Sequence, residues 1–132
     1  SKSYGNTIPL FGTAKQLQKG INKINTNLLE PGEPKDPDSA TVFQIWCAFA
    51  NHEERAQMRH AFADGIGWGD AKKQLFHKID EVLAPARDRY NDLMANPQQL
   101  EEVLQAGAQR LRPRAADLLA QVRDAVGLRA YR

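Results

Sequence analysis

Three histidines and a single cysteine are the side chains of this 132-residue sequence with the widest chemical reach. His52, His60 and His77 are spaced too far apart for a helical zinc motif such as H-E-x-x-H, and His52-Glu53-Glu54 has no second histidine four residues on. They read as surface or helix-end histidines, and no metal site is expected. Cys47 stands beside Trp46 in an apolar stretch and reads as a small core residue, since no cysteine–histidine pattern accompanies it. One cysteine excludes an internal disulfide and a cysteine-only metal cage, and it suits a reducing cytosol. Gly65-Ile66-Gly67-Trp68-Gly69 is glycine-rich, yet it lacks the Walker spacing and the preceding strand of a phosphate loop. Its glycines fit a tight helix–helix turn with Trp68 packed over it.

Charge is the remaining chemical resource, and it is unevenly placed. The net charge is +2, but residues 1 to 29 hold four lysines (Lys2, Lys15, Lys19, Lys23) and no acid. Residues 107 to 132 hold six arginines against Asp117 and Asp124, whereas residues 30 to 106 carry eight basic and fourteen acidic side chains, a net of −6. Basic ends around an acidic middle can attract phosphates locally without making the whole chain a polycation. Solvated helix faces would give the same pattern.

The elements that must position these groups read as helices separated by clear punctuation. Leu17, Ile21, Ile24 and Leu28 lie on one helical stripe, with Thr13 as the N-cap, so a first helix is expected over 13–29. Glu30 to Asp38 contains three prolines and a glycine and reads as an exposed linker. Ser39 is expected to open a second helix carrying Val42, Phe43, Trp46 and Phe49. Asn51 is expected to cap a third, which Gly65 stops. After Gly69, Ala71, Leu75, Ile79, Val82, Ala86, Tyr90 and Leu93 form the longest stripe, with Pro85 inside it. Asn96-Pro97 is a start signal for a last helix that passes Pro113 and ends at Gly127. No apolar run approaches the roughly 20 residues that span a bilayer, and no secretory signal is visible. The sequence begins at Ser1 rather than at a methionine, which points to a start inside a longer protein. The expected fold class is an all-α helical bundle preceded by a flexible basic loop segment.

Three blocks, in order and with consistent spacing, resemble the tryptophanyl-tRNA synthetase family of class I aminoacyl-tRNA synthetases. Ser1-Lys2-Ser3 before Tyr4-Gly5-Asn6 looks like the end of the K-M-S-K-S signature loop. Thr13-Ala14-Lys15, Lys19, Ile21 and Thr26-Asn27 are similar to the stretch that follows that loop. Ala63-Asp64-Gly65-Ile66-Gly67-Trp68-Gly69-Asp70-Ala71-Lys72, continued by Leu83-Ala84-Pro85-Ala86-Arg87 and Tyr90, resembles the glycine-rich turn and proline-bearing long helix of the family. Thr13 and Asn27 stand where aspartates are usual, and Gly20 where a lysine is common.

The resemblance implies a division into a loop remnant (1–12), a first helix (13–29), a linker (30–38) and a helical domain facing the tRNA anticodon (39–132). It implies a parent enzyme that activates tryptophan with ATP and Mg2+ and charges its tRNA, working in the cytoplasm as a homodimer. The part seen here would be inactive alone and would bind no cofactor alone. Lys2 matches the second lysine of the signature loop and is the expected catalytic residue. A cation there stabilises negative charge building on the β- and γ-phosphates more in the transition state than in the ground state. Ser1, Lys2 and Ser3 form the implied ATP-binding set. Lys72, Lys73, Arg87 and Arg89 are the expected tRNA contacts, against the alternative of intrahelical pairs with Asp80, Asp88 or Asp92. A helical protein-interaction module is the rival reading. A general nucleic-acid binder is disfavoured by the acidic middle.

Overall fold

A computed structural model describes residues 7–128, so Ser1, Lys2 and Ser3, on which the ATP-binding expectation falls, lie outside the described residues. Among the described residues there are five α-helices and no strand, as the punctuation predicts: α1 (Ala14–Asn22), α2 (Thr41–Phe49), α3 (His52–Ala63), α4 (Trp68–Ala95) and α5 (Pro97–Ala125). The chain divides into two compact units, 1–90 and 91–132.

Local signals set most of the helix ends. Thr13 and Gln16 form a reciprocal capping box at α1, and Asn51 and Glu54 form another at α3, each satisfying two otherwise unpaired N–H groups. At α3 the cap is joined by Glu53 and Glu54 in the first turn, where negative charge meets the positive end of the helix dipole. Gly65, at φ +84°, and Gly127, at φ +74°, stop α3 and α5 in the left-handed conformation. At both ends an N–H reaches back five residues: Ile66 to the Ala61 carbonyl, and Leu128 to the Arg123 carbonyl. Both α4 and α5 run on through their internal prolines, Pro85 and Pro113, each of which removes one backbone donor.

Three expectations are corrected. The first helix ends at Asn22 instead of reaching residue 29, and Leu28, assigned to its stripe, is 98% exposed. Its last carbonyls are satisfied otherwise, as described below, and the chain turns away. Ser39 does not open α2; Ala40 occupies the cap without a side-chain bond. Nor is the proline-rich segment uniformly exposed. Lys35 is buried, its backbone N–H donates to the Phe62 carbonyl at 2.9 Å, and its ammonium donates to the carbonyls of Glu30 and Glu33, both at 2.8 Å. A buried charge is tolerable there because carbonyl dipoles take the place of water.

The core lies in the first unit. Leu17 and Ile21 of α1, Val42, Phe43 and Trp46 of α2, Met58 and Phe62 of α3, and Ala71, Leu75 and Ile79 of α4 are all buried together. Phe62, fully buried, meets the rings of Phe43 and Trp68 edge-on at 5.6 and 5.7 Å. Cys47 is half-buried and packs against this cluster. Gly65 is where the proline-rich segment closes on it. Its carbonyl accepts from the Gly32 N–H at 2.8 Å, and a Cβ at Gly65 would fall 2.5 Å from the Gly32 backbone. The glycine is therefore required twice, for its φ and for this approach. Nearer the N-terminus, Phe11 stacks on Tyr90 of α4, centroids 4.9 Å apart.

Candidate nucleic-acid interface

Burial of one stripe on each helix decides which groups face outward. In α1, burying Leu17 and Ile21 leaves Lys15, Gln18, Lys19 and Asn22 exposed. In α4, burying Ala71, Leu75 and Ile79 leaves Lys73 and His77 exposed and Lys72 and Phe76 half-buried beside them. Gln18 and Asn22 from α1 and Gly69, Lys72, Lys73, Phe76 and His77 from α4 line one open groove of about 370 Å3. Phe76 and His77 lie with ring centroids 5.3 Å apart. The groove thus combines a free ammonium, an aromatic surface, an imidazole and two amides. That set can pair with a phosphate, stack on a base and hydrogen-bond a base edge.

The four basic residues singled out in the sequence are not brought together. Lys72 donates to the carbonyls of Asn22 at 3.1 Å and Ile24 at 2.7 Å, closing the C-terminal end of α1. Its charge favours the negative end of that helix dipole, so its first role is structural. Lys73, the next residue, is exposed beside the groove. Arg87 and Arg89 lie roughly 21 to 24 Å further along α4, at 1.5 Å per residue. Arg87 is ion-paired with Asp80 through a side chain only 12% exposed, which matches the pairing alternative, while Arg89 is exposed. Of the four, Lys73 alone both lines the groove and is exposed.

Sequence reasoning missed Gln18, Asn22 and Phe76 as groove residues. Phe76 sits one position past buried Leu75, where helical periodicity reads only the edge of a core stripe. It also missed a second hollow of about 250 Å3, lined by Asn25, Thr26, Asn27, Asp36, Ser39, Ala40, Thr41, Val42 and Trp68. Trp68 Nε1–H donates to Asn27 Oδ1 at 3.0 Å and Lys35 Nζ stands 5.7 Å over its ring, so the indole is anchored. No signal in the sequence joins Asn27 to Trp68 across the turns between them. The histidines are all exposed, and among the described residues no three of His, Cys, Asp or Glu converge. No described helix is long and apolar enough to cross a membrane.

Comparison with known proteins follows the same line. No family model matches the chain. It is 56% identical over 129 residues to the tryptophan–tRNA ligase of Neisseria meningitidis, a match covering 98% of this chain and 38% of that protein. The ligase of Xanthomonas axonopodis pv. citri is 53% identical, with 98% and 30% covered. Among solved structures, the tryptophanyl-tRNA synthetase of Campylobacter jejuni is similar with a TM-score of 0.91 and 31% identity, over 97% of this chain and 40% of that one. The same enzyme in complex with ADP and tryptophan gives a TM-score of 0.90. The chain therefore spans about a third of the length of the curated relatives it matches.

Proposed function

We propose, on the premise that the chain belongs to the tryptophanyl-tRNA synthetase family and corresponds to its C-terminal portion, that it is the tRNA-facing helical part of a tryptophan–tRNA ligase. The whole enzyme would activate tryptophan with ATP and transfer it to its tRNA, in the cytoplasm and as a homodimer. Lys2 would then carry the signature-loop cation, with Ser1 and Ser3 helping to order the loop around the nucleotide. Magnesium would ride on the ATP phosphates; no acidic cluster of the described residues is assigned to it.

The observation that carries this reading is the groove between α1 and α4, where Lys73, Phe76 and His77 face Gln18 and Asn22. Across it stands an α1 whose charged side chains are all lysines. In this arrangement Lys73 holds a phosphate, Phe76 offers a face for an unpaired base, and the amides read its edge. Lys72 contributes through its hold on Asn22 and Ile24, and Arg89, exposed further along α4 and outside the groove, would contact phosphate separately. Arg87, paired with Asp80, contributes least.

The test is equilibrium binding of the chain to tryptophan tRNA, and to the same tRNA with its anticodon changed, at low and moderate salt. Lys73→Glu is expected to weaken binding about tenfold and to flatten the salt dependence by about one phosphate contact. Arg87→Gln should change little. Binding that is indifferent to Lys73→Glu would sink the groove as the interface. Binding that ignores the anticodon would confine the groove to backbone contact.

A further inference from the structure

Residues 7–13 belong to no helix, yet they are tied down at three points within the first unit. Ile8 packs against the core, close by Gly20 of α1. Phe11 stacks on Tyr90 of α4, with ring centroids 4.9 Å apart and planes 9° from parallel. Thr13 closes the capping box of α1. Between them Gly12 lets the chain double back, since a Cβ there would fall 2.9 Å from Gln16 Oε1 and 3.0 Å from Pro9 Cγ. The core does not account for the Phe11–Tyr90 pair. Tyr90 stands three turns past Ile79, the last buried residue of α4, and is 40% exposed, while Phe11 is 49% exposed. Rings so open to water contribute far less to the fold than the enclosed Phe62. What the pair fixes is direction. Two anchors beside α1 leave the segment free to rotate about the line between them, and a third on α4 removes that freedom.

We infer that Phe11 and Tyr90 are positioning residues for the ATP-binding loop that precedes Phe11 in the chain. The inference rests on the reading above of Lys2 as the signature-loop cation. From Ile8 back to Lys2 the chain runs six residues, at most about 20 Å when extended. The heading on which the segment leaves its anchors therefore limits where the Lys2 ammonium can reach. A cation aimed at the β- and γ-phosphates acts over a short range, and a small misplacement of such a group costs rate. Neither ring touches the nucleotide in this role; each acts through the chain it holds.

The test is ATP–pyrophosphate exchange by the full-length ligase carrying this sequence, which reads tryptophan activation without tRNA. Phe11→Ala and Tyr90→Ala are each expected to lower kcat about tenfold and to leave the KM for tryptophan within about twofold. The melting temperature should stay within about 2 °C. Combined in one protein, the two substitutions should cost no more than either alone, because each removes the same contact. Tyr90→Phe keeps the ring and should keep the parent kcat. An unchanged kcat in both alanine variants would overturn the proposal. So would losses that multiply in the double variant, a loss that Tyr90→Phe shares, or one that comes with a matching fall in melting temperature. Lys2→Ala in the same assay separates this inference from the reading beneath it. If Lys2→Ala lowers kcat and the two ring variants do not, the loop reading stands and the positioning role alone fails. If Lys2→Ala has no effect, the loop reading fails and takes the positioning role with it.

Discussion

The two units of this chain are both helical, but they owe their helices to different causes. In residues 1–90, short helices of 9 and 12 residues persist because each lays an apolar stripe into one shared cluster centred on Phe62. Isolated helices of that length are marginal in water, so packing supplies their stability. In residues 91–132, α5 runs for 29 residues without burying one side chain. Its helicity rests on alanine, leucine, glutamine, glutamate and arginine, all strong helix formers, and on Pro97 at the first helical position. The comparison teaches that an apolar stripe has two meanings. Within the first unit it reports a core, and in α5 it reports a surface.

The sharpest way to break that comparison is to truncate one side chain in each unit of the present chain and measure urea unfolding. Phe62→Ala should cost about 3–5 kcal/mol, because it removes a fully buried ring and leaves a cavity between Phe43 and Trp68. Leu111→Ala should stay within about 0.5 kcal/mol, since Leu111 is already mostly in water. Comparable losses would mean that α5 is packed in this chain after all.

A smaller effect is expected at the turn that ties the proline-rich segment to the core. Gly65→Ala should cost roughly 1–3 kcal/mol from backbone strain, with further loss from contact with Gly32, measured by the same unfolding. Gly127→Ala, also at positive φ but with nothing within 4 Å, isolates the conformational part. If the two glycines tolerate alanine equally, the approach of Gly32 to Gly65 contributes nothing.

The smallest effect concerns pH and belongs to the first unit. The Lys78 ammonium, and next the Asn51 backbone N–H, hold the Glu54 carboxyl below its ordinary value of 4.5. The Arg59 guanidinium does the same for Asp38 against its ordinary 3.8. Carboxyls depressed on folding stabilise above their unfolded pKa, and that contribution is lost as pH falls through the folded value. Lys78 is raised above its ordinary 10.5 chiefly by the hydrogen bond to Glu54, so its contribution holds below 10.5 and is lost on the alkaline side. Stability should therefore decline from about pH 5 downward, and Glu54→Gln should flatten the decline. An unchanged acid limb in that variant would show that the Glu54–Lys78 pair, 2.6 Å apart in the folded chain, has no share in it.

The sequence by itself determined the all-helical class, the starts of α1, α3 and α5 to within a residue, and the stops at Gly65 and Gly127. It did so because these signals act locally: a cap, a proline at the first turn or a glycine at positive φ needs no distant partner. It also carried the family resemblance, since that rests on order and spacing along the chain. Only the tertiary structure decided how the basic residues are used. Lys72 and Lys73 are neighbours of one type on one helix, indistinguishable by propensity or charge. One reaches carbonyls 50 and 48 residues away in sequence and closes α1, while the other is exposed at a groove. In the same way Lys35, in a stretch that reads as solvent-exposed, is buried because Glu30, Glu33 and Phe62 offer it carbonyls. Whether a cation is free for a phosphate depends on which backbone carbonyls the fold has left unpaired, and that is settled only when distant segments meet.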